Sequence, residues 1–242
     1  MQPSRLSAFL LLAAANLFWS GNWIAGRALR DSFDPVTLNF WRWVVATLVL
    51  APFALPGLRG HWGEVRHHAG ILLLLSFTGV ALFHSLVYFG LRTTAAVNAV
   101  LLNSSLPMFM LLCSWAIERE RASRRQILGM LVSLAGILVI LCRGDPRALL
   151  QLELNSGDAW ILLAMPVWGV YSVLLKRRPL QLGGLELLFV ISLAGVLLLS
   201  PAAILFAMHA PIRWPSATES LGVLYMGIAR SEERRVGKEC RL

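Results

Sequence analysis

Residues 39–52 read "NFWRWVVATLVLAP" and residues 188–201 read "LFVISLAGVLLLSP". Phe40 falls on Phe189 and Pro52 on Pro201 at one spacing of 149 residues. Both stretches lie inside longer apolar runs, so the fold depends on what those runs build and on whether the spacing extends beyond them.

A helix needs about 20 apolar residues to cross a hydrocarbon core of about 30 Å. Seven runs meet or approach that length: Leu6–Gly26, Pro35–Pro56, Ala69–Leu91, Thr94–Ile117, Gln126–Cys142, Asp158–Leu175 and Leu185–Ala207. An eighth begins near Glu219 and its apolar part ends at Ala229. With 57% hydrophobic and 14% charged residues, and a mean hydropathy of +0.67, the chain is an integral membrane protein. Lipid offers no hydrogen bonds to backbone groups, so each complete run is expected to be helical. The basic residue ahead of the first run would also suit a secretory signal; the length of the run and the spans that follow favour a retained helix.

The formal charge of +9 would suggest nucleic acid as a partner in a soluble chain, but here the Lys and Arg residues fall mainly between apolar runs and orient the chain in lipid. An N-terminus in the cytoplasm places ten basic residues inside, the dense blocks at 119–125 and 176–178 among them, and six outside. Cys113 and Cys142 lie in apolar runs and Cys240 in a polar tail, which gives neither a disulfide framework nor a metal-ligand spacing.

The spacing does extend further. Trp19 falls on Trp168 at 149, and "FTGVA" (77–81) falls on "YMGIA" (225–229) at 148. Five spans separate the matched helices, and an odd number reverses the direction of crossing. An inverted repeat is therefore expected, with a substrate site near the midplane.

The stretches "LFWSGNWIAGRAL" (17–29), "PVTLNFWRWVVATLVLAPFAL" (35–55) and "GVALFHSLVYFGLRTTAAVNAVLLNSSLPMFMLLCSWAIERERASRRQILGMLVSLAGILVIL" (79–141) resemble the first half of an EamA-type member of the drug/metabolite transporter superfamily. The resemblance covers residues 6–229. It implies an all-α membrane bundle of ten helices in two inverted five-helix repeats, cut here after seven full helices and part of the eighth. It also implies export of small metabolites, amino acids or drugs, with protons as a candidate second partner and no cofactor. On this plan residues 1–143 are the first repeat, 144–157 a periplasmic linker and 158–229 an incomplete second repeat. Residues 230–242, "RSEERRVGKECRL", read as a non-native, adapter-derived tail. The expected setting is the inner membrane, multi-pass, with a lipid bilayer and a small molecule as partners, no nucleic acid, and a homodimer as a candidate assembly. One departure from the family is local: "AIERER" lacks the glycine usual before the glutamate.

Candidate cavity residues follow from polarity and position. Trp19, Asn22 and Trp23 put aromatics and an amide near one face of the first span, mirrored by Trp168 and Tyr171 on the sixth; an interfacial aromatic belt is the competing reading. Arg42, between Trp41 and Trp43 and about two turns inside the span, either contacts substrate or takes part in coupling, or else snorkels to the outer surface or pairs structurally. His84 and Tyr88 share a face at i, i+4; His84 is the proton-coupling candidate, and a neutral histidine bonded across helices is its rival. Asn98 and Asn103 make the fourth span polar, and Pro107, lacking an N–H, is expected to kink it. Glu118 and Glu120 read as solvated salt bridges, and no Asp or Glu is expected well inside a span. His61, His67, His68 and Glu64 lack metal-ligand spacing. A membrane-embedded enzyme of lipid or acyl-group transfer is the alternative function; it would need an acid/base or metal constellation, and the sequence offers a poor one.

Overall fold

A computed structural model gives the fold and describes residues 17, 20–94, 96–120, 122–141, 155–177, 182–209 and 216–239. In chain order the helices are α1 (20–28), α2 (Pro35–Leu58), α3 (Trp62–His67) and α4 (Ala69–Ser76), then a π-helix over Phe77–Leu82. Then come α5 (Phe83–Thr93), α6 (Ala96–Ser104), α7 (Leu106–Glu118), α8 (Arg124–Leu141), α9 (Ser156–Arg177), α10 (Gly184–His209) and α11 (Ala217–Glu239). Strands are absent among the described residues. Four helical segments there are long and apolar enough to cross a membrane: Pro35–Leu58, Ala69–Thr93, Ser156–Lys176 and Gly184–Met208.

Of the other expected spans, most of the first lies outside the described residues and the fifth is the helix α8. The fourth is two helices: α6 ends at Ser104 and α7 begins at Leu106 with Pro107 in its first turn. Proline cannot donate to a carbonyl four residues back, and its ring crowds that carbonyl. The apolar part of the eighth run ends at Ala229, yet the helical backbone of α11 continues to Glu239.

The chain forms two compact units. The first comprises residues 1–81 and 179–242. Its centre is α2, started by Asp34, whose Oδ1 accepts from the amides of Val36 and Thr37 at 3.0 and 2.9 Å. Leu38, Arg42, Ala46, Leu50, Ala54 and Leu58 recur every fourth residue along α2 and are all buried. That ridge and its neighbours pack against α10 and α11, while Leu48 and Phe53 on other faces are 68% and 64% exposed, as suits contact with lipid tails. α10 also packs against α4, and Gly195 of α10 lets the helix approach Val80 so closely that a Cβ would collide with that side chain. The π-helix leaves carbonyls without α-helical partners; Asn39 of α2, fully buried, donates through Nδ2 to the carbonyls of Val80 and Ala81 at 3.0 and 3.3 Å.

The second unit, residues 82–178, holds α5 to α9. Here α9 is the centre, packed on α5, α6 and α7. Two glycine contacts set its path. Gly157 meets Gly90 backbone to backbone, and Gly169 meets the carbonyl of Phe109, where a Cβ would stand at 2.9 Å. Small residues at helix crossings permit close approach, which supplies much of the helix association energy in lipid.

Candidate functional site

The second unit gathers four of the sequence-derived candidates into one cluster. Trp168 of α9 stacks on Tyr171 of the same helix with ring centroids 5.0 Å apart, and meets His84 of α5 edge-on at 6.4 Å. Tyr88, one turn beyond His84, lies 6.5 Å from the imidazole. Phe83, which sequence reading passed over, closes on Trp168 at 4.6 Å. His84, Tyr88 and Tyr171 are buried and Trp168 is half-buried, so an ionisable imidazole sits in an aromatic wall within a membrane-spanning helix pair. Such a wall can stack against a planar or cationic ligand. Its geometry follows from spacing: His84 and Tyr88 share a face of α5 at i, i+4, while Trp168 and Tyr171 share one of α9 at i, i+3.

Asn98 stands apart from that cluster. Its Nδ2 donates to Oδ2 of Asp158 at 3.1 Å, and the Asn155 amide donates to the same oxygen at 2.8 Å. The Asn155 side chain in turn accepts from the amides of Gly157 and Asp158, forming a reciprocal cap at the start of α9. Asp158 is only 4% exposed, and its Oδ1 is buried with no hydrogen-bond partner. Glu219, 8% exposed, caps α11 in the same way through Ser216. Both carboxylates stand in the first turn at a helix end, not well inside a span, and are drawn inward by helix N-termini that need acceptors. The signal was present as Asn155-x-x-Asp158 and Ser216-x-x-Glu219, the spacing of a capping box.

The remaining candidates are dispersed. Asn103 is half-buried at the end of α6, with an Oδ1 that lacks a partner. In the first unit Asn22 and Trp23 are half-buried on α1, which approaches Tyr225 of α11 at Gly21, and Trp19 lies outside the described residues. Arg42 is 1% exposed, which removes the snorkelling alternative and agrees with structural pairing: its guanidinium carbon lies 4.6 Å over the Trp43 ring and its Nη2 donates to Oδ1 of Asn39 at 3.5 Å. α10 and α11 cover the face of α2 from which the side chain would have had to escape.

At the end of the second unit marked by the C-termini of α7 and α9, Lys176 Nζ donates to Glu118 at 3.2 Å and to Glu120 at 2.8 Å. The hydrogen bond and the charge of Lys176 hold the Glu120 carboxyl below the usual carboxylate range. Arg119, where the glycine was missed, takes a left-handed conformation with φ 59° and bonds back to the Trp115 carbonyl.

A match to the EamA-like transporter family covers residues 6–142, more than half of the chain. The chain belongs to the EamA-like transporter family. This family member is 27% identical over 221 residues to an uncharacterized transporter of Archaeoglobus fulgidus, a match covering 90% of the chain and 74% of the relative. It is 23% identical to the uncharacterized transporter YetK of Bacillus subtilis over 93% of the chain and 68% of that protein. A WAT1-related protein of Arabidopsis thaliana is 25% identical over 84% of the chain and 62% of its own length. A solved crystal structure, 23% identical, superposes with a TM-score of 0.65 over 98% of this chain and 80% of its own, and shares the helical fold. The EamA-like chain is thus a multi-pass membrane transporter and not an enzyme.

Proposed function

We propose that the chain belongs to a ten-helix secondary transporter of the inner membrane, N-terminus cytoplasmic, that exports small metabolites, amino acids or drugs by alternating access. One observation carries this reading. Gly184 opens α10 149 residues after Pro35 opens α2, and Ala217 opens α11 148 residues after Ala69 opens α4. The packing has the same symmetry: α2 meets α10; α2 meets α11 as α10 meets α4. Exchanging the members of each pair leaves that contact pattern unchanged, as an inverted repeat requires. Residues 1–143 are then one repeat, 158–229 an incomplete second, and 230–242 lie outside the repeat plan.

In this reading the aromatic cluster of the second unit contacts substrate and His84 carries the coupling proton, with Tyr88, Trp168 and Tyr171 as its walls. Trp19, Asn22, Trp23, Arg42, Asn98 and Asn103 are the remaining proposed cavity residues, and Pro107 supplies the kink. The test uses the ten-helix protein in proteoliposomes. His84→Ala is expected to abolish proton-driven accumulation of a transported compound and leave its counterflow intact. Unchanged uphill transport in that variant would remove His84 from the coupling step.

A further inference from the structure

The second unit contains a cavity of about 490 Å³ away from the aromatic cluster. Ser114, Glu118, Glu120, Gln126, Ser172 and Lys176 supply its polar lining, and Met110, Leu111 and Val173 its apolar part. Two carboxylates and one ammonium leave the lining with a net charge of −1. The helices α7 and α9 both end here, and helix C-termini carry partial negative charge that favours a cation. The Ser114 hydroxyl reaches Glu118 at 3.1 Å and Glu120 at 3.3 Å, but one hydroxyl has a single proton to give. The ammonium of Lys176 is thus the donor that both carboxylates share.

The three charged groups differ in how firmly they are held. The Glu118 side chain is 10% exposed, whereas those of Glu120 and Lys176 are 59% and 60% exposed. The pair of Lys176 with Glu120 is exposed on both sides and weak, so the long Lys176 stem can swing into water when another cation takes its place beside Glu118. Glu118 is too enclosed to follow it.

We propose that this cavity binds a primary ammonium carried on a small apolar body, and that the Lys176 ammonium is a tethered stand-in which such a ligand displaces. The ammonium takes the place of Nζ between Glu118 and Glu120, and the apolar body lies against Met110, Leu111 and Val173. A free amine and the headgroup of phosphatidylethanolamine share this chemistry. Binding here requires neither His84 nor a transport cycle.

The test titrates the full chain, in nanodiscs of phosphatidylglycerol, with phenethylammonium and with phenethyl alcohol as its neutral counterpart. Saturable binding of the amine is expected, with the alcohol at least tenfold weaker. Lys176→Met, which removes the stand-in and keeps both carboxylates, should bind the amine roughly two- to thirtyfold more tightly. Glu118→Gln should weaken amine binding about tenfold or more; should that variant fail to fold, the Lys176→Met comparison decides alone. Adding phosphatidylethanolamine to the nanodiscs separates the sources: the apparent affinity for the amine falls if the lipid headgroup is the occupant and holds if a free amine is. Equal binding of amine and alcohol, or a Lys176→Met variant that binds the amine no more tightly than the wild type, overturns the proposal.

Discussion

The centres of the two units are built from different materials. Around α2 the first unit is closed by aliphatic side chains and a glycine contact, and its buried polar groups are internal: Asn39 serves two carbonyls of the π-helix and Arg42 lies over Trp43. Around α9 the second unit collects an imidazole, four aromatic rings and a charged cavity, beside a capped carboxylate of the kind that Glu219 supplies in the first. Lipid tails are as apolar as leucine, so helices in a membrane associate through close packing and through polar groups that find partners. The first unit turns its buried polar groups to its own backbone and rings, and the second gathers its aromatic rings around one imidazole.

The contrast breaks most visibly at the closest contact. Gly195→Leu would drive a side chain into Val80, and because the surrounding face of α10 is already filled, the loss is expected to reach about 1–3 kcal/mol or more. Thermal unfolding in detergent measures it; an unchanged midpoint would mean that the first unit is looser than its side-chain contacts imply.

Next in size is the polar cap of the second unit. Asn98→Leu removes one of the two donors to Oδ2 of Asp158 and should cost about 1–3 kcal/mol, since a buried acceptor is left short of partners. Asp158→Asn in the same background should recover part of that loss, because an uncharged amide is cheaper to leave underbonded. Failure of the second change to restore any stability would mean that Asn98 acts through packing.

The smallest expected effect is a gain. Arg119 holds the left-handed C-cap of α7 at φ 59°, where an L side chain is strained, so Arg119→Gly should raise stability by roughly 0.5–1 kcal/mol. A lowered melting temperature would show that the Arg119 side chain contributes contacts worth more than that strain.

Much of this architecture was legible in the linear pattern, for particular reasons. Runs such as 35–58 and 184–208 announce themselves because crossing lipid demands long uncharged helices, and Pro107 marks a break because its ring cannot accommodate the preceding turn. The i, i+4 pairing of His84 with Tyr88 could be read from α5 alone, but its meeting with Trp168 joins residues 84 apart and needed the fold. For Arg42 the sequence left snorkelling and structural pairing open, because depth along a helix says nothing of what covers its face; the burial against Trp43 and Asn39 decides for pairing. The salt bridges read for Glu118 and Glu120 are present, but their partner Lys176 stands 58 and 56 residues away, and the cavity they line exists only once α7 and α9 are side by side.

In the proposed function, substrate is met at the aromatic cluster. Counterflow of a transported compound by the ten-helix protein in proteoliposomes, compared for wild type, Trp168→Phe and Trp168→Ala, tests that most directly. The expected result is near-normal exchange with phenylalanine and a loss of about tenfold with alanine, the size of losing one aromatic contact worth about 1–1.5 kcal/mol, with both variants folded to the same extent. Wild-type exchange by a folded Trp168→Ala protein would contradict it.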